Sequence, residues 1–420
     1  MKNLSTTAGA AVDKRRSSAP EGVSADPTAA FSNVQWFLYS CRNTIYYSAF
    51  LSVPFDRRRL LATVTQLVTL APQLKTGYAG ARPEEPLAPE QMDAISSLEE
   101  VDSLDPYPHA WLQSGVEVYD TPGLPLFRFK AVTRRGGPDS EGRASMVLVT
   151  ASHALLEGSD SALLARSQDS SHTSGMARDN PLPLAARIRV GLIAGTTGVG
   201  HLVAGHLLAP AEMQMAFDAQ VYSRHQLRTI ANGTGVSQRA LMYGAVMYAL
   251  HDGRKRTVSA LYTILGGTRH DVDDDFIRAR GIHARFPLAG KLLADFVRAV
   301  DAGMKRYEAR PEGADQYILN ALYGMHRRVG KVMPFLYTPR FFRFPGVYDI
   351  VLTMIPPHRI VGAFMEGVME PIYAGSFHEG ISLVTFVPSR KHVTINYTVP
   401  PAMAGRVRRV PALIERLAPR

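Results

Sequence analysis

Met146-Val147-Leu148-Val149-Thr150-Ala151-Ser152-His153-Ala154-Leu155-Leu156-Glu157-Gly158 is the stretch on which the reading of this chain turns. The apolar run through Ala151 reads as a buried strand, and a helix is expected from about Ser159 to Arg166. The residues between form a loop or turn, where positioned catalytic groups commonly lie. A histidine there suits general-base work, since an ordinary pKa of roughly 6.5 lets it take and return a proton near neutrality. Glu157, four residues on, can fix the loop through a buried ion pair, and Gly158 permits a backbone conformation closed to other residues. On spacing alone, however, a single histidine behind a strand reads more often as a hydrogen-bonded structural residue.

Working outward, strands are expected at Val116–Tyr119 and Leu126–Thr133, with a turn at Gly136-Gly137-Pro138-Asp139 before the central run. Upstream, Ile45–Val53 reads as a strand. A helix starting at Asp56-Arg57 follows, with Leu60, Leu61, Val64, Leu67 and Val68 on one face, and Pro72 ends it. Residues 82–105 are rich in Pro and Glu and read as a long loop with one short helical turn.

Downstream, 168–183 is polar and Ser-rich, the clearest linker in the chain. The second half reads as a strand at Met213–Ala219, helices at 223–231 and 237–250, and a strand at Val258–Leu265. Then come a charged loop through Asp271–Asp275, helices near 289–307 and 316–329, strands at 348–354, 381–387 and 392–399, and a closing helix at 404–417. Strands and helices mix in both halves, so the expected class is α/β with two comparable subdomains. The division is 1–25 as a disordered tail, 26–167 as the N-terminal subdomain, 168–211 as linker and 212–420 as the C-terminal subdomain.

Length supports that division, because 420 residues exceed one ordinary core. The hydrophobic and charged fractions, 46% and 20%, are those of a folded protein. One cysteine, Cys41, excludes an internal disulfide framework and a multi-cysteine zinc site, and fits a reducing, cytoplasmic setting. As a nucleophile it has no local partner. The net charge of +10 favours polyanionic partners such as anionic lipid or the phosphates of a nucleotide-bearing substrate. The basic residues lie in short scattered clusters without interleaved aromatics, which argues against nucleic-acid binding.

Val190 to Pro210 contains no Asp, Glu, Lys or Arg, which approaches the length of a membrane span. Glycines at 191, 195, 198, 200 and 205, with His201 and His206, count against a free-standing helix in lipid. The segment reads first as buried linker and second as a peripheral membrane contact. Asp271 and Asp273–Asp275 lack the spacing of a calcium loop and read as solvated, so no metal is expected.

The central stretch resembles the His-His-x-x-x-Asp-Gly motif of the superfamily that includes chloramphenicol acetyltransferase, peptide-synthetase condensation domains and bacterial wax ester synthase/diacylglycerol acyltransferases. His153 falls on the second His, Ser152 on the first, Glu157 on the Asp and Gly158 on the Gly. Other segments keep the family's order. Leu60–Tyr78, with Ala-Pro-Gln-Leu-Lys at 71–75, resembles the helix ending in Pro-x-Leu-Arg. Pro125–Phe129 resembles the Pro-Leu-Trp strand, Gly235–Met242 the Gly-x-Thr-x-Asn-Asp-Val-Leu helix, and 371–397 the closing strands.

The resemblance implies two chloramphenicol-acetyltransferase-like subdomains in a V with a tunnel between them. It also implies acyl transfer from a coenzyme A or carrier-protein thioester, as co-substrate, to an alcohol or amine, with His153 as the base and no bound cofactor. Glu157 is then structural, and Lys75, standing where the family has Arg, is its expected partner, without the bidentate fork of Arg. Ser152, Glu157, Arg239 in place of Asn, and a 353–357 segment without Ser-Asn-x-Pro-Gly depart from the wax synthase pattern. They leave two alternatives open: a non-catalytic relative that binds a carrier protein or lipid, and a stand-alone amide synthase of condensation type.

Overall fold

Aromatic and β-branched residues make Thr44–Leu51 a strand that is buried at every position, β1. The computed structural model describes residues 33–70, 72–75, 86–105, 124–155, 184–208, 215–251, 255–265, 279–309, 314–337, 341, 348–355, 367–378 and 380–418. β1 pairs antiparallel on one side with β4 (Ser145–Ser152) and on the other with β9 (Val368–Phe377). With β2 (Ser96–Val101) and β3 (Phe127–Arg134) they form a five-stranded sheet, ordered β2-β3-β4-β1-β9. The second sheet has six strands: β5 (Ala216–Ser223), β11 (His392–Val399), β10 (Leu383–Pro388), β8 (Ile350–Met354), β6 (Thr257–Leu265) and β7 (Ala279–Pro287), in that order.

Strand alternation gives the first sheet two apolar faces. Ile45, Tyr47 and Ala49 of β1, with Val147, Val149 and Ala151 of β4, pack under α2 (Arg57–Leu70) through Leu60, Val64 and Leu67. The opposite face, with Tyr46, Phe50, Leu148 and Tyr373, packs against Phe217 of β5, so the second sheet closes it. The second sheet is covered by α6 (Gln238–His251), α7 (Leu293–Glu308), α9 (Pro401–Val407) and α10 (Val410–Glu415). Ser237 caps α6. Its hydroxyl accepts from Ala240 N at 3.2 Å and donates to Asp301 at 2.7 Å.

β9 belongs by sequence to the C-terminal part, 212–420, yet it completes the first sheet, so the sheets do not divide at the linker. The chain leaves the second sheet after β8, runs through the first as β9, and returns as β10. Two joints mark the crossing. The Glu370 carboxylate of β9 accepts from Ser389 Oγ at 2.7 Å, Arg390 N at 2.9 Å and Lys391 N at 3.0 Å, in the turn between β10 and β11. Tyr46 reaches the side chain of Thr398 on β11. It passes over Gly375, where any Cβ would lie 2.5 Å from its hydroxyl oxygen.

Three local expectations differ from the structure. The sequence reads β2 (Ser-Ser-Leu-Glu-Glu-Val) as loop; it is the outermost strand of the sheet, paired only with β3, and so tolerates polar side chains. β7 lies in a stretch to which the sequence reading assigns no element, its pairing with β6 decided by tertiary context. The segment 190–210, expected as linker, lies almost entirely in a 25-residue helix, α4 (Leu184–Leu208). It packs on α8 (Ala314–Val332), and Gly198 lets Leu322 and Met325 approach where a Cβ would collide. Packing offsets the poor helix propensity of its glycines. The expected strand at 116–119 and helix at 159–166 lie outside the described residues.

Candidate active site

The helix α1 (Asn33–Ser40) ends in a left-handed turn at Arg42, whose φ is 52°. The Asn43 N–H donates back to Leu38 O at 3.0 Å and the Arg42 N–H to Tyr39 O at 3.0 Å, a Schellman cap. A non-glycine residue in that conformation costs about 1 kcal/mol or more. It brings the chain sharply from α1 into β1 and aims the Asn43 carbonyl sideways. That carbonyl accepts from the His153 N–H at 2.8 Å.

From the other side, β4 runs buried along its whole length to Ser152. The Ser152 N–H donates to Leu126 O at 2.9 Å, and Ser152 O accepts from Leu155 N at 3.0 Å. Its hydroxyl accepts from the Ala154 N–H at 3.2 Å. Leu155, with Leu126, packs under Tyr39 of α1. The turn at 152–155 is thus pinned by backbone bonds on both flanks and by an apolar plug, while the His153 side chain stays half-buried. Rigid backbone with a reachable imidazole is the arrangement general-base catalysis needs.

Ser152 has a physical task at the position where the resemblance has a histidine: a fully buried hydroxyl that holds the turn carrying His153. Lys75 lies half-buried at the end of the 3-10 turn Pro72–Lys75, directly after Leu74, which packs in the same cluster as Ala151. Glu157 and Gly158 lie outside the described residues, and so does any Glu157–Lys75 pair. The Asp271–Asp275 loop is also outside them. Arg239, at the departure from the wax synthase helix, is engaged in an ion pair with Glu308 of α7.

The register brings in two residues that motif reading passes over. Thr44 is opposite Ser152 on one side and Phe377 on the other, so Asn43, His153 and His378 follow at the same end of three adjacent strands. His378 is almost fully buried. No motif marks it, because its nearness to His153 exists only once β9 has crossed into the first sheet. Cys41 lies one residue before the Schellman turn, with its Sγ 3.3 Å from Leu38 O. Burial pushes its thiol up to about 12, so it stays protonated and is no nucleophile near neutrality. Among the described residues no cluster of His, Cys, Asp or Glu is arranged to hold a metal.

No protein-family model and no curated protein sequence matches the chain. Solved structures do. A trichothecene 15-O-acetyltransferase from Fusarium sporotrichioides superposes with a TM-score of 0.58 at 11% identity, over 92% of this chain and 94% of that one. A nonribosomal peptide synthetase cyclization-docking bidomain from Sorangium cellulosum gives 0.53 at 12% identity, over 93% and 84%. The wax ester synthase/diacylglycerol acyltransferase from Marinobacter aquaeolei VT8 gives 0.51 at 12% identity, over 92% and 96%. Along nearly its whole length, therefore, the chain has the two-sheet fold shared by chloramphenicol-acetyltransferase-like acyltransferases and condensation-type domains.

Proposed function

We propose that the protein is an acyltransferase that moves an acyl group from a thioester, on coenzyme A or a carrier protein, to an alcohol or amine. The observation that carries this reading is the turn at His153: a half-buried imidazole on a backbone fixed by Asn43, Leu126 and Leu155, at the C-terminal end of the central strand. The likeness in fold to acyltransferases adds to it.

In this reading, an acceptor hydroxyl or amine lies within hydrogen-bond reach of a ring nitrogen of His153. The imidazole takes the proton as the acceptor attacks the thioester carbonyl carbon, and the carbonyl electrons pass to oxygen. The tetrahedral oxyanion re-forms the carbonyl and expels the thiolate, which recovers the proton from the imidazolium. Substrates enter between the two sheets, from opposite sides of the turn. Glu157 and Lys75 are given a structural role and no chemical step in this reading. The basic chain suits the phosphates of coenzyme A and the acidic surface of a carrier protein equally.

Thiol release from a panel of acyl-coenzyme A donors, with mixed alcohols and amines and with His153→Ala alongside, tests the reading. Release that falls by about 10²–10⁴-fold in the variant, with an acylated acceptor seen by mass, supports it and separates ester from amide formation. No release from free or carrier-loaded donors overturns it in favour of a non-catalytic binder of the same fold.

A further inference from the structure

α4 is apolar on two sides and covered on one. Gly198 and Gly205 face Met325 and Phe341, and Leu202 packs with Phe341 and Phe37. On the other side Ile188, Leu192, Val199, Val203 and Leu207 are 55–71% exposed. At 3.6 residues per turn these five fall on an arc of roughly 100°, which Arg189, Thr196 and His206 share by sequence, turned away from Gly198 and Gly205. α4 and α8 lie side by side, and at and just past the end of α8 a further group of apolar residues, Val332, Met333 and Phe335, is exposed. Scattered exposed apolar residues need no explanation, but five aligned along one side of a helix do.

The two helices that bear this face, with their flanks, are one-sided in charge by sequence. From Asn180 to Ala211, and again from Gln316 to Tyr348, the sequence has no Asp or Glu, while it carries Arg187, Arg189, Arg327, Arg328, Lys331, Arg340 and Arg343. Arg189, Arg328 and Lys331 are exposed. A second copy on the same face would set these cations against their own counterparts, which opposes a two-fold dimer. One side of α4 is committed to α8, and among the described residues no helix is long and apolar enough to cross a bilayer.

We propose that this face docks on an anionic lipid surface. The exposed arc of α4 sinks to the acyl boundary, and Arg189, Arg328 and Lys331 meet the phosphates. This inference is independent of the acyl-transfer reading. Its experiment is co-sedimentation of the full chain with phosphatidylcholine vesicles, with and without phosphatidylglycerol. Two double variants run beside it: Leu192→Glu/Val203→Glu and Arg328→Glu/Lys331→Glu. All four residues are exposed, so an unchanged melting curve verifies the fold of each.

The expected result is binding to the phosphatidylglycerol vesicles that weakens with salt, and at least about a tenfold loss of partitioning in each variant. Equal binding of the wild type to both vesicle types, no binding to either, or variants that bind like the wild type would each overturn it. So would a wild-type dimer in light scattering that Leu192→Glu/Val203→Glu converts to monomer without any effect of lipid.

Discussion

Replacing Gly375 by alanine tests how tightly the two sheets are joined. The added methyl would sit 2.5 Å from Tyr46 Oη, 2.7 Å from Cζ and 3.0 Å from Cε1. Carbon atoms pack without strain at about 3.5 Å or more, so the ring must move by roughly 1 Å. It has little room, since Tyr46 is 3% exposed and its ring meets Phe217 edge-on. Overpacking of this kind costs about 1–3 kcal/mol. Displacing the hydroxyl also loses its bond to Thr398, worth about 1 kcal/mol. The expected destabilisation is therefore about 2–4 kcal/mol. Urea unfolding reads it as a lower midpoint at unchanged slope. In a Tyr46→Leu background, which removes the far end of the ring, the same substitution should cost less than about 1 kcal/mol. If Gly375→Ala is neutral, or costs the same in both backgrounds, the close packing of Tyr46 over Gly375 is not what constrains this position.

Ser152→Ala should destabilise by about 1 kcal/mol through loss of the acceptor for Ala154 N–H, and should lower kcat more than it raises KM, because it loosens the turn and not a substrate contact. Although burial opposes it, hydrogen bonds from Ser389, Lys391, Arg390 and His392 hold the Glu370 carboxyl below the usual range. Its stabilisation is therefore complete above the ordinary carboxylate pKa and lost as pH falls through the depressed one; Glu370→Gln should cost about 2 kcal/mol at neutral pH, and the two denaturation curves should converge in acid. Burial lowers His251 to about 4. The unfolded chain then binds the extra proton first, so stability should decline as pH falls from roughly 6.5 toward that value, by at most about 1.4 kcal/mol per pH unit, and His251→Leu should flatten that limb of a pH–stability curve.

Much of the first sheet was legible because its strands announce themselves. β4 and β1 are long apolar runs bounded by polar turns, and α2 carries one clean apolar face ended by Pro72. The turn at His153 was legible as a break after a buried strand. Its pinning was not, since Asn43 and Leu126 are distant in sequence and contribute only backbone groups, whose chemistry every residue shares. β2 and β7 were missed where pairing, not side-chain pattern, makes the strand. The sequence reads α4 as linker because its glycines look like defects in isolation. They become close-approach sites only when Leu322, Met325 and Phe341 are beside them.

The passage of β9 through the first sheet has a consequence for how the chain matures. Ser52 and Gly367, 315 positions apart, are hydrogen-bonded. Until β9 emerges from the ribosome, β1 has an unpaired edge bearing Thr-Ile-Tyr-Tyr-Ser-Ala-Phe-Leu, a segment of the kind that pairs with other chains. The N-terminal half cannot finish folding as it is made, but must wait for nearly the whole chain. Refolding from denaturant is therefore expected to be slow, with β1 the segment most exposed to misassociation while it waits for β9.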